Sequence, residues 1–273
     1  MIQAIQRTSA SGTPLTAMLN SGEDSVLCSI LQPANAVRQE RTIAIRLASD
    51  EGARSSASMV INRSYGARGY GSDHQIQPEH QTVTFTASSG SDVFGTITLK
   101  VDSGFSLATD ITFSEELSLI RSEPGMKLCE LSKFAFDPSP DARPYLASLF
   151  HIIYLYGTDR FGCSDLVIEV NPRHVKFYHL MLGFECIGAL KTNMAVSAPS
   201  QLMRIKVQKI GENIDQLAGK FGKSGRSLYP YFFNKKEEAG VRQRIARLTN
   251  DTGRAVEDSL SDSKPQIYLR CAA

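Results

Sequence analysis

A strand followed directly by a well-capped helix limits the folds open to this chain more than any other feature of its sequence. Residues 165–170 (DLVIEV) are almost continuously apolar, as expected for a strand in the middle of a sheet. Asn171 and Pro172 then favour the start of a helix, and Gly183 favours its end. A buried strand of this kind needs helices covering its sheet, so the sequence predicts an α/β domain.

Hydrophobic periodicity assigns the surrounding residues to further elements of one mixed sheet. Strands are predicted over residues 42–48, 82–88, 94–102, 127–136, 185–192 and 201–207. Helices are predicted over residues 50–65, 112–121 and 142–157, besides the helix that follows Asn171. The resulting order, β-α-β-β-α-β-α-β-α-β-β, predicts one mixed α/β domain over residues 41–207.

The two ends of the chain differ from this domain. Residues 1–40 are rich in Ser, Thr, Gly, Pro and Asn with little periodicity, which predicts a poorly ordered N-terminal arm. Residues 208–273 predict a basic, helical C-terminal extension, with helix to about residue 248 and weak structure in the last 25 residues. Between residues 201 and 248 there are eleven Lys and Arg against four Asp and Glu. Such a surface either meets an anionic partner or is an ordinary solvated face.

Several classes of protein are disfavoured by composition. The sequence contains no run of about 18 apolar residues, so no transmembrane helix is predicted. No recognisable nucleic-acid reading module accompanies the basic residues. The five cysteines form no C-x-x-C pair, which argues against a disulfide framework or zinc site and favours the cytoplasm. Cys129 and Cys163 are interpreted as small core residues. The histidines on the predicted helices lack metal-ligand spacing, so no metal is expected.

One glutamate, Glu130, lies in the otherwise buried strand 127–136. A carboxylate in such a place is costly unless it is paired, solvated or functional. Ser132 lies on the same face of the strand, because side chains alternate. A salt bridge from Glu130 to Lys133 or Arg63 is the structural alternative to a catalytic role.

Two motifs resemble acyltransferases of the GNAT fold. FYHLMLGF (177–184) is similar to the FY…GF helix that follows the fifth strand of that fold. ELSKFAF (130–136) is similar to the E-[LIC]-S-R-[FL] strand of acyl-homoserine lactone synthases and of FeeM-type N-acyl amino acid synthases. Over roughly residues 41–207 the chain resembles the FeeM type. The resemblance implies a mostly antiparallel sheet with covering helices, whose fourth and fifth strands splay apart around the acyl chain.

The resemblance also implies a reaction, the transfer of a long acyl chain from acyl carrier protein to the α-amine of an amino acid. Glu130 would be the general base, and the main chain around Phe134 would meet the thioester carbonyl. Tyr178 would protonate the leaving thiolate, and Ser132 would orient the amine or a water. For Ser132 and Tyr178, structural roles as a polar filler and as a core aromatic stay open.

Two departures from the family pattern concern the substrates. The segment 137–146 (DPSPDARPYL) lacks the glycines that hold the pyrophosphate of coenzyme A. Arg143 could instead meet a single phosphate, which favours acyl carrier protein over acyl-CoA as donor, with no other cofactor. Lys133 stands where the relatives usually carry arginine, so any bidentate carboxylate contact there is changed. Lys133, Phe134, Arg143 and Asn171 are the predicted substrate-binding residues.

Other functions are compatible with the same fold. An acyl-homoserine lactone synthase is one alternative, although the chain has no tryptophan and therefore lacks part of that pattern. A CoA-dependent acetyltransferase and a non-catalytic module that binds an acyl carrier are the others. The acceptor amino acid, the chain length and the oligomeric state are left open by the sequence.

Overall fold

The computed structural model describes residues 4–8, 14–18, 25–32, 40–104, 106–137, 142–220 and 225–261. The strands in these residues are β1 Ala4–Thr8, β2 Pro14–Met18, β3 Val26–Gln32, β4 Arg41–Leu47, β5 Thr82–Ser89, β6 Asp92–Val101, β7 Leu128–Phe136, β8 Asp165–Val170, β9 Glu185–Asn193 and β10 Ala198–Lys206. The helices are α1 Glu51–Gly66, α2 Asp110–Arg121, α3 Arg143–Tyr156, α4 Pro172–Leu182, α5 Val207–Leu217 and α6 Lys235–Ser261.

The described strands form one sheet in the order β1-β2-β3-β4-β5-β6-β7-β8-β10-β9. Neighbouring strands pair antiparallel from β1 to β7 and from β8 through β10 to β9, whereas β7 and β8 pair parallel. The predicted mixed and mostly antiparallel sheet is therefore confirmed.

The two central strands separate partway along their length. β7 pairs with β8 from Leu128, opposite Asp165, to Leu131, opposite Ile168. β7 then continues to Phe136, while β8 stays paired with β10. The splayed pair expected of a GNAT-like fold is thus confirmed, and a cleft opens where the pairing ends.

A β-bulge lies in β7 where the strands separate. Ser132 is opposite Thr98 and Ala135 is opposite Thr96, so two residues of β7 face the one residue between those threonines. Lys133, the first of the two, has a φ of 50°. A left-handed conformation is unfavourable for lysine by roughly 1–2 kcal/mol, so the surrounding sheet must hold it. The bulge re-aims the chain toward the cleft.

Helices cover both faces of the sheet. On one face α3 packs on the sheet through Tyr156 against Phe85 of β5 and through Phe150 against Phe134 of β7. Leu149 and Ile152 of the same helix are fully inside the main core. On the other face α2 packs through Phe113 and Leu117 onto residues of β7, β8 and β10, and α1 packs onto Ala135. A central strand with both faces covered is nearly continuous in apolar residues, which explains the sequence of β8 apart from Asp165 and Glu169.

The predicted poorly ordered arm over residues 1–40 is wrong for Val26–Gln32. This segment is β3, hydrogen-bonded to β4, and Leu27 and Ile30 are at most 1% exposed. Ala4–Thr8 and Pro14–Met18 are strands as well. Most other residues of the arm fall outside those the structure describes. The short apolar run VLCSIL lacks alternation because both of its faces are buried, so it did not stand out among polar neighbours.

The C-terminal extension packs on the domain. Phe232 and Phe233 are buried, and the Phe233 N–H donates to His151 Nδ1 at 2.9 Å. α6 continues to Ser261, so the prediction of weak structure in the last 25 residues is wrong up to that point. Residues 262–273 lie outside the described part of the chain. None of the described helices is both long and apolar enough to cross a bilayer.

Cys129 and Cys163 form a disulfide, which corrects their interpretation as unpaired core residues. They are 34 residues apart in sequence, with their Cα atoms 6.2 Å apart. The parallel pairing of β7 with β8 places Cys129 opposite Leu166, close to where Cys163 leads into β8. The two cysteines meet only in the tertiary structure, so their spacing in the sequence could not predict the disulfide. The cysteine-based argument for the cytoplasm loses its force with it.

Candidate active site

A cavity of about 800 Å³ occupies the cleft between the separated ends of β7 and β8. Its wall is formed mainly by apolar side chains from β6, β7, β8, α3 and α4, including Ile97, Phe134, Leu146, Ile168 and Phe177. A volume of this size, with a few polar groups on an apolar wall, is typical of a small-molecule site.

Glu130 lies on the wall of this cavity and is 2% exposed. Its Oε2 accepts a hydrogen bond from the main-chain N–H of Ala108 at 2.8 Å, and its Oε1 accepts one from the N–H of Thr109 at 3.1 Å. The proposed salt-bridge partners are engaged elsewhere: Arg63 pairs with Asp137 at 2.5 Å, and Lys133 Nζ donates to a main-chain carbonyl. Neither residue forms a salt bridge with Glu130 among the described contacts; the carboxylate instead joins β7 to the segment before α2, and its role as a base stays a prediction.

The surroundings of Glu130 tune its proton affinity. Burial raises the pKa of its carboxyl to about 7, while the two main-chain N–H donors oppose the rise and the nearby Glu169 adds to it. A carboxyl that titrates near neutral pH is suited to accept a proton from a substrate.

Glu169 is a second cavity carboxylate, which sequence reasoning missed. It accepts hydrogen bonds from Ser200 Oγ at 2.6 Å and from Asn193 Nδ2 at 2.7 Å. Val167 is opposite Glu130 in the sheet, so alternation places Glu169 on the same face as Glu130. The alternation of side chains along the strand could have placed Glu169 on this face. The apolar residues around Glu169 made the strand look uniformly buried instead.

The bulge in β7 places three predicted residues at the cavity. Ser132 lines it, on the same face as Glu130 as predicted. Lys133 lines it too, with its Nζ donating to the Gln75 carbonyl at 3.0 Å, and burial lowers the pKa of its ammonium. The Phe134 ring lies against the cavity. Bulged residues are left out of the hydrogen-bond ladder of the sheet. Their main-chain N–H groups are therefore the candidates for donating a hydrogen bond to an oxyanion.

Tyr178 reaches the cavity from α4 and is buried among aromatic rings, with centroids 6.5 Å from Phe134 and 6.0 Å from Phe184. Burial raises the pKa of its phenol above the ordinary value. The hydroxyl therefore stays protonated at neutral pH and can donate a proton. Tyr65, from α1, also lines the cavity and lies within electrostatic reach of Tyr178. No motif in the sequence pointed to Tyr65.

The two remaining predicted residues differ in position. Asn171 lines the cavity and caps α4, accepting from the Arg173 N–H at 3.3 Å and donating to the Pro199 carbonyl at 3.2 Å. Arg143 is the first residue of α3; its neighbour Ala142 lines the cavity, but Arg143 does not belong to the described lining. Residues 138–141 of the predicted phosphate loop fall outside the described residues. The structure thus gathers six of the seven predicted residues around one cavity: Glu130, Ser132, Lys133, Phe134, Asn171 and Tyr178.

Comparison with known proteins agrees with the family that the motifs predicted. Residues 56–206, more than half of the chain, match the family model of the N-acyl amino acid synthase FeeM. A search of curated proteins gave no match.

Solved structures were compared as well. FeeM, an N-acyl amino acid synthase from uncultured soil microbes, is 29% identical with a TM-score of 0.55, over 63% of this chain and 95% of FeeM. The acyl-homoserine lactone synthase LasI is 13% identical with a TM-score of 0.47, over 61% of this chain and 91% of LasI. BjaI, a CoA-dependent acyl-homoserine lactone synthase, is 14% identical with a TM-score of 0.45, over 74% of this chain and 92% of BjaI. On the evidence of its family match and its fold, this chain is an acyltransferase that belongs to the FeeM family of N-acyl amino acid synthases.

Proposed function

We propose that this protein transfers a long acyl chain from acyl carrier protein to the α-amine of an amino acid. The observation that carries the proposal is Glu130, a buried carboxyl whose pKa is raised to about 7, on the wall of the 800 Å³ cavity. Membership of the FeeM family supports amide formation as the reaction.

The cavity residues supply the groups that this reaction needs. Glu130 accepts a proton from the acceptor ammonium, and the freed amine nitrogen attacks the thioester carbonyl carbon. The main chain at Phe134 stabilises the oxyanion of the tetrahedral intermediate. When that intermediate collapses, the C–N bond remains, the C–S bond breaks, and the leaving thiolate takes a proton from Tyr178. The nitrogen releases its second proton in this step, and that proton returns the Tyr178 phenolate to the phenol, so the product is the neutral amide. Ser132, beside Glu130, orients the amine.

A long acyl chain fits the character of the cavity wall. Each methylene buried against apolar side chains contributes about 0.8 kcal/mol. Phe134, Leu146 and Ile168 are among the apolar side chains that face the space between β7 and β8. A chain lying there replaces water along an apolar wall, so longer chains bind more tightly until the cavity is full.

Lys133 is the cation best placed for the α-carboxylate of the acceptor. It lines the cavity, and it interacts electrostatically with Glu130. In an amino acid the carboxylate and the amine share one carbon, so a carboxylate held by Lys133 brings the amine toward Glu130. As a compact point charge, lysine attracts a carboxylate without the fixed bidentate geometry of arginine.

The choice of acyl carrier protein as donor rests on the segment 137–146 and on the C-terminal extension. That segment has no glycine to form a pyrophosphate cradle. Acyl carrier proteins are strongly acidic, and opposite charges speed their encounter with a basic surface. Some basic residues of the extension are already paired, since Arg242 pairs with Asp159 and Glu238, and Lys235 pairs with Asp215. Transfer from acyl carrier protein would place the reaction in the cytoplasm.

The proposal is tested by mass spectrometry of organic extracts from cells that produce the protein or its Glu130→Gln variant. We expect new masses of fatty acyl chains joined to one amino acid, and their absence from the variant culture. Purified protein, given acyl carrier protein or coenzyme A thioesters of the same chain, then identifies the donor. Acyl-homoserine lactone masses, or no acylated product from either donor with any amino acid, would overturn the proposal.

A further inference from the structure

Four side chains form a basic group at the edge of the cavity, which we call the rim cluster. Arg68, Tyr70 and His174 line the cavity, and Arg173, outside the lining, is hydrogen-bonded to Tyr70 and His174. Arg68 and Tyr70 follow the end of α1, whereas Arg173 and His174 lie in the first turn of α4. Arg173 Nη2 donates to the Tyr70 hydroxyl at 2.7 Å, and its guanidinium carbon lies 5.5 Å from the centre of the Tyr70 ring. Arg173 Nε lies 3.2 Å from His174 Nε2. The cluster therefore ties α1 to α4 across the end of the cleft.

The two arginines of the rim cluster lack carboxylate partners within the residues that the structure describes. Arg68 donates to the carbonyl and hydroxyl of Ser64, and Arg173 donates to Tyr70 and His174. By contrast, the exposed Arg63 is paired with Asp137. Two positive charges, both within electrostatic reach of His174, thus lie near the entrance of the cavity without carboxylate partners among the described residues.

The two arginines also affect the protonation of His174. Burial, and then the neighbouring Arg173 and Arg68, lower the pKa of its imidazole. His174 therefore stays neutral at physiological pH and can hydrogen-bond an anion without adding a third positive charge. The rim cluster as a whole is suited to an oxyanion that guanidinium groups can grip through paired N–H donors.

We propose that the rim cluster binds the phosphate of the donor's phosphopantetheine arm. This inference rests on the proposed function, because it assumes a thioester donor. The arm's thioester must reach Phe134 and Tyr178, whereas its phosphate, joined to the bulky carrier, must stay at the entrance. Arg68 and Arg173 are exposed at that entrance, and Arg68 interacts with Tyr65, which in turn interacts with Tyr178.

The acceptor carboxylate is a less suitable occupant of the rim cluster. Lys133 is within electrostatic reach of Glu130, so it already offers that carboxylate a site next to the base. The phosphate role was expected of Arg143; Arg143 and Arg173 both lie outside the described cavity lining, but Arg173 is hydrogen-bonded to the lining residues Tyr70 and His174. Acyl carrier protein and coenzyme A both present a phosphate at this end of pantetheine, so the site suits either donor.

The test compares binding of 4′-phosphopantetheine and pantetheine, which differ by the phosphate, by isothermal titration calorimetry. For the unmodified protein we expect the phosphate to tighten binding at least about tenfold, as charge-assisted hydrogen bonds do. Arg68→Gln and Arg173→Gln should each remove most of that preference and leave pantetheine affinity unchanged. Lys176→Gln, which removes an exposed cation of α4 that does not belong to the rim cluster, should keep the preference for the phosphate.

Equal affinities of the unmodified protein for the two ligands would overturn the inference, as would a phosphate preference that survives both arginine substitutions. Circular dichroism spectra confirm that the variants are folded, and the two single variants provide independent readings. The measurement needs no acyl transfer, so its result stands even where the proposed reaction fails. Titrations with holo acyl carrier protein and with coenzyme A then show which donor loses affinity in the arginine variants.

Discussion

The carboxylate of Glu130 accepts a hydrogen bond of 2.8 Å from the main-chain N–H of Ala108, just before the start of α2. This contact, with its companion from Thr109, fixes the direction of a buried carboxyl through uncharged donors and not through an ion pair. Main-chain amides carry no net charge, so burial still raises the pKa of the group to about 7. A salt bridge would have lowered that pKa and weakened Glu130 as a base.

The first prediction concerns the pH dependence of turnover. Glu130 must be ionised to accept the proton of the acceptor, so we expect kcat to rise with pH through a midpoint near the pKa of about 7. Glu130→Gln should lower kcat by about 10²–10⁴-fold and remove that midpoint. Steady-state rates at saturating donor and acceptor across the pH range measure both effects.

A matched control for this experiment is Glu115→Gln, which changes an exposed carboxylate on α2. This variant should have the same kcat and the same pH midpoint as the unmodified protein. A midpoint near neutral pH that persists in Glu130→Gln would assign the titration to another group, such as the acceptor amine.

A second prediction concerns folding stability. The pKa of Glu130 is raised from 4.5 to about 7 on folding, so the folded state holds the proton more tightly than the unfolded chain. Its contribution to stability is complete below the unfolded pKa and is lost as the pH rises through about 7. The Glu130→Gln variant has no titrating group at this position, so its stability lacks this dependence on pH. Urea unfolding at several pH values should therefore show the unmodified protein losing more stability than the variant between about pH 5 and pH 8; parallel curves would contradict this.

Local sequence signals were sufficient for the elements that surround the cleft. Asp50 caps α1 by accepting from the Ala53 N–H, and Asn171 caps α4 with Gly183 in the left-handed conformation at its end. Such signals depend on a few neighbouring residues, so they survive without knowledge of the fold. β3 was missed because a strand buried on both faces shows no alternation, and polar residues surround it in the sequence.

The parts of the site that the sequence did not predict depend on contacts between distant residues. Arg173 and Tyr70 are 103 positions apart, and Cys129 meets Cys163 through strand pairing. Glu169 reaches the cavity because β7 leaves β8 before that position. A motif identifies residues within one segment, whereas these relationships arise when segments meet.

The third prediction concerns Tyr178 as the proton donor to the leaving thiolate. Tyr178→Phe removes the hydroxyl and keeps the ring that packs near Phe134 and Phe184. We expect kcat to fall by about 10²-fold for pantetheine thioesters. Thioesters of acidic aryl thiols need no proton on departure, so their rate should change little.

The matched control is Tyr154→Phe, which removes a half-buried hydroxyl near Gly211, away from the cavity lining. It should leave both classes of thioester unaffected. An equal loss with both leaving groups in Tyr178→Phe would reveal a packing role for the hydroxyl instead.

A fourth prediction follows from the disulfide next to Glu130. Closing a loop between residues 34 positions apart restricts the unfolded chain, which stabilises the fold by about 3–4 kcal/mol in the chain-entropy model. Reducing agent should therefore lower the melting temperature of the unmodified protein. The Cys129→Ala, Cys163→Ala double variant should melt at one temperature with and without reductant, whereas Cys186→Ser, which changes an exposed free thiol, should respond as the unmodified protein does. No response of the unmodified protein to reductant would contradict the prediction.

The fifth prediction uses Leu146 to measure where the acyl chain lies. Leu146 comes from α3 and lines the cavity between the separated strands. Leu146→Phe adds a ring to that wall and removes space that methylene groups would fill, each of which contributes about 0.8 kcal/mol when buried. With a mixture of donors of different lengths, the products should shift toward shorter chains, as measured by mass spectrometry. Leu119→Phe, at a position 72% exposed on α2, should leave the distribution unchanged. An unaltered distribution in Leu146→Phe, even with a lower rate, would place the acyl chain along another wall of the cavity.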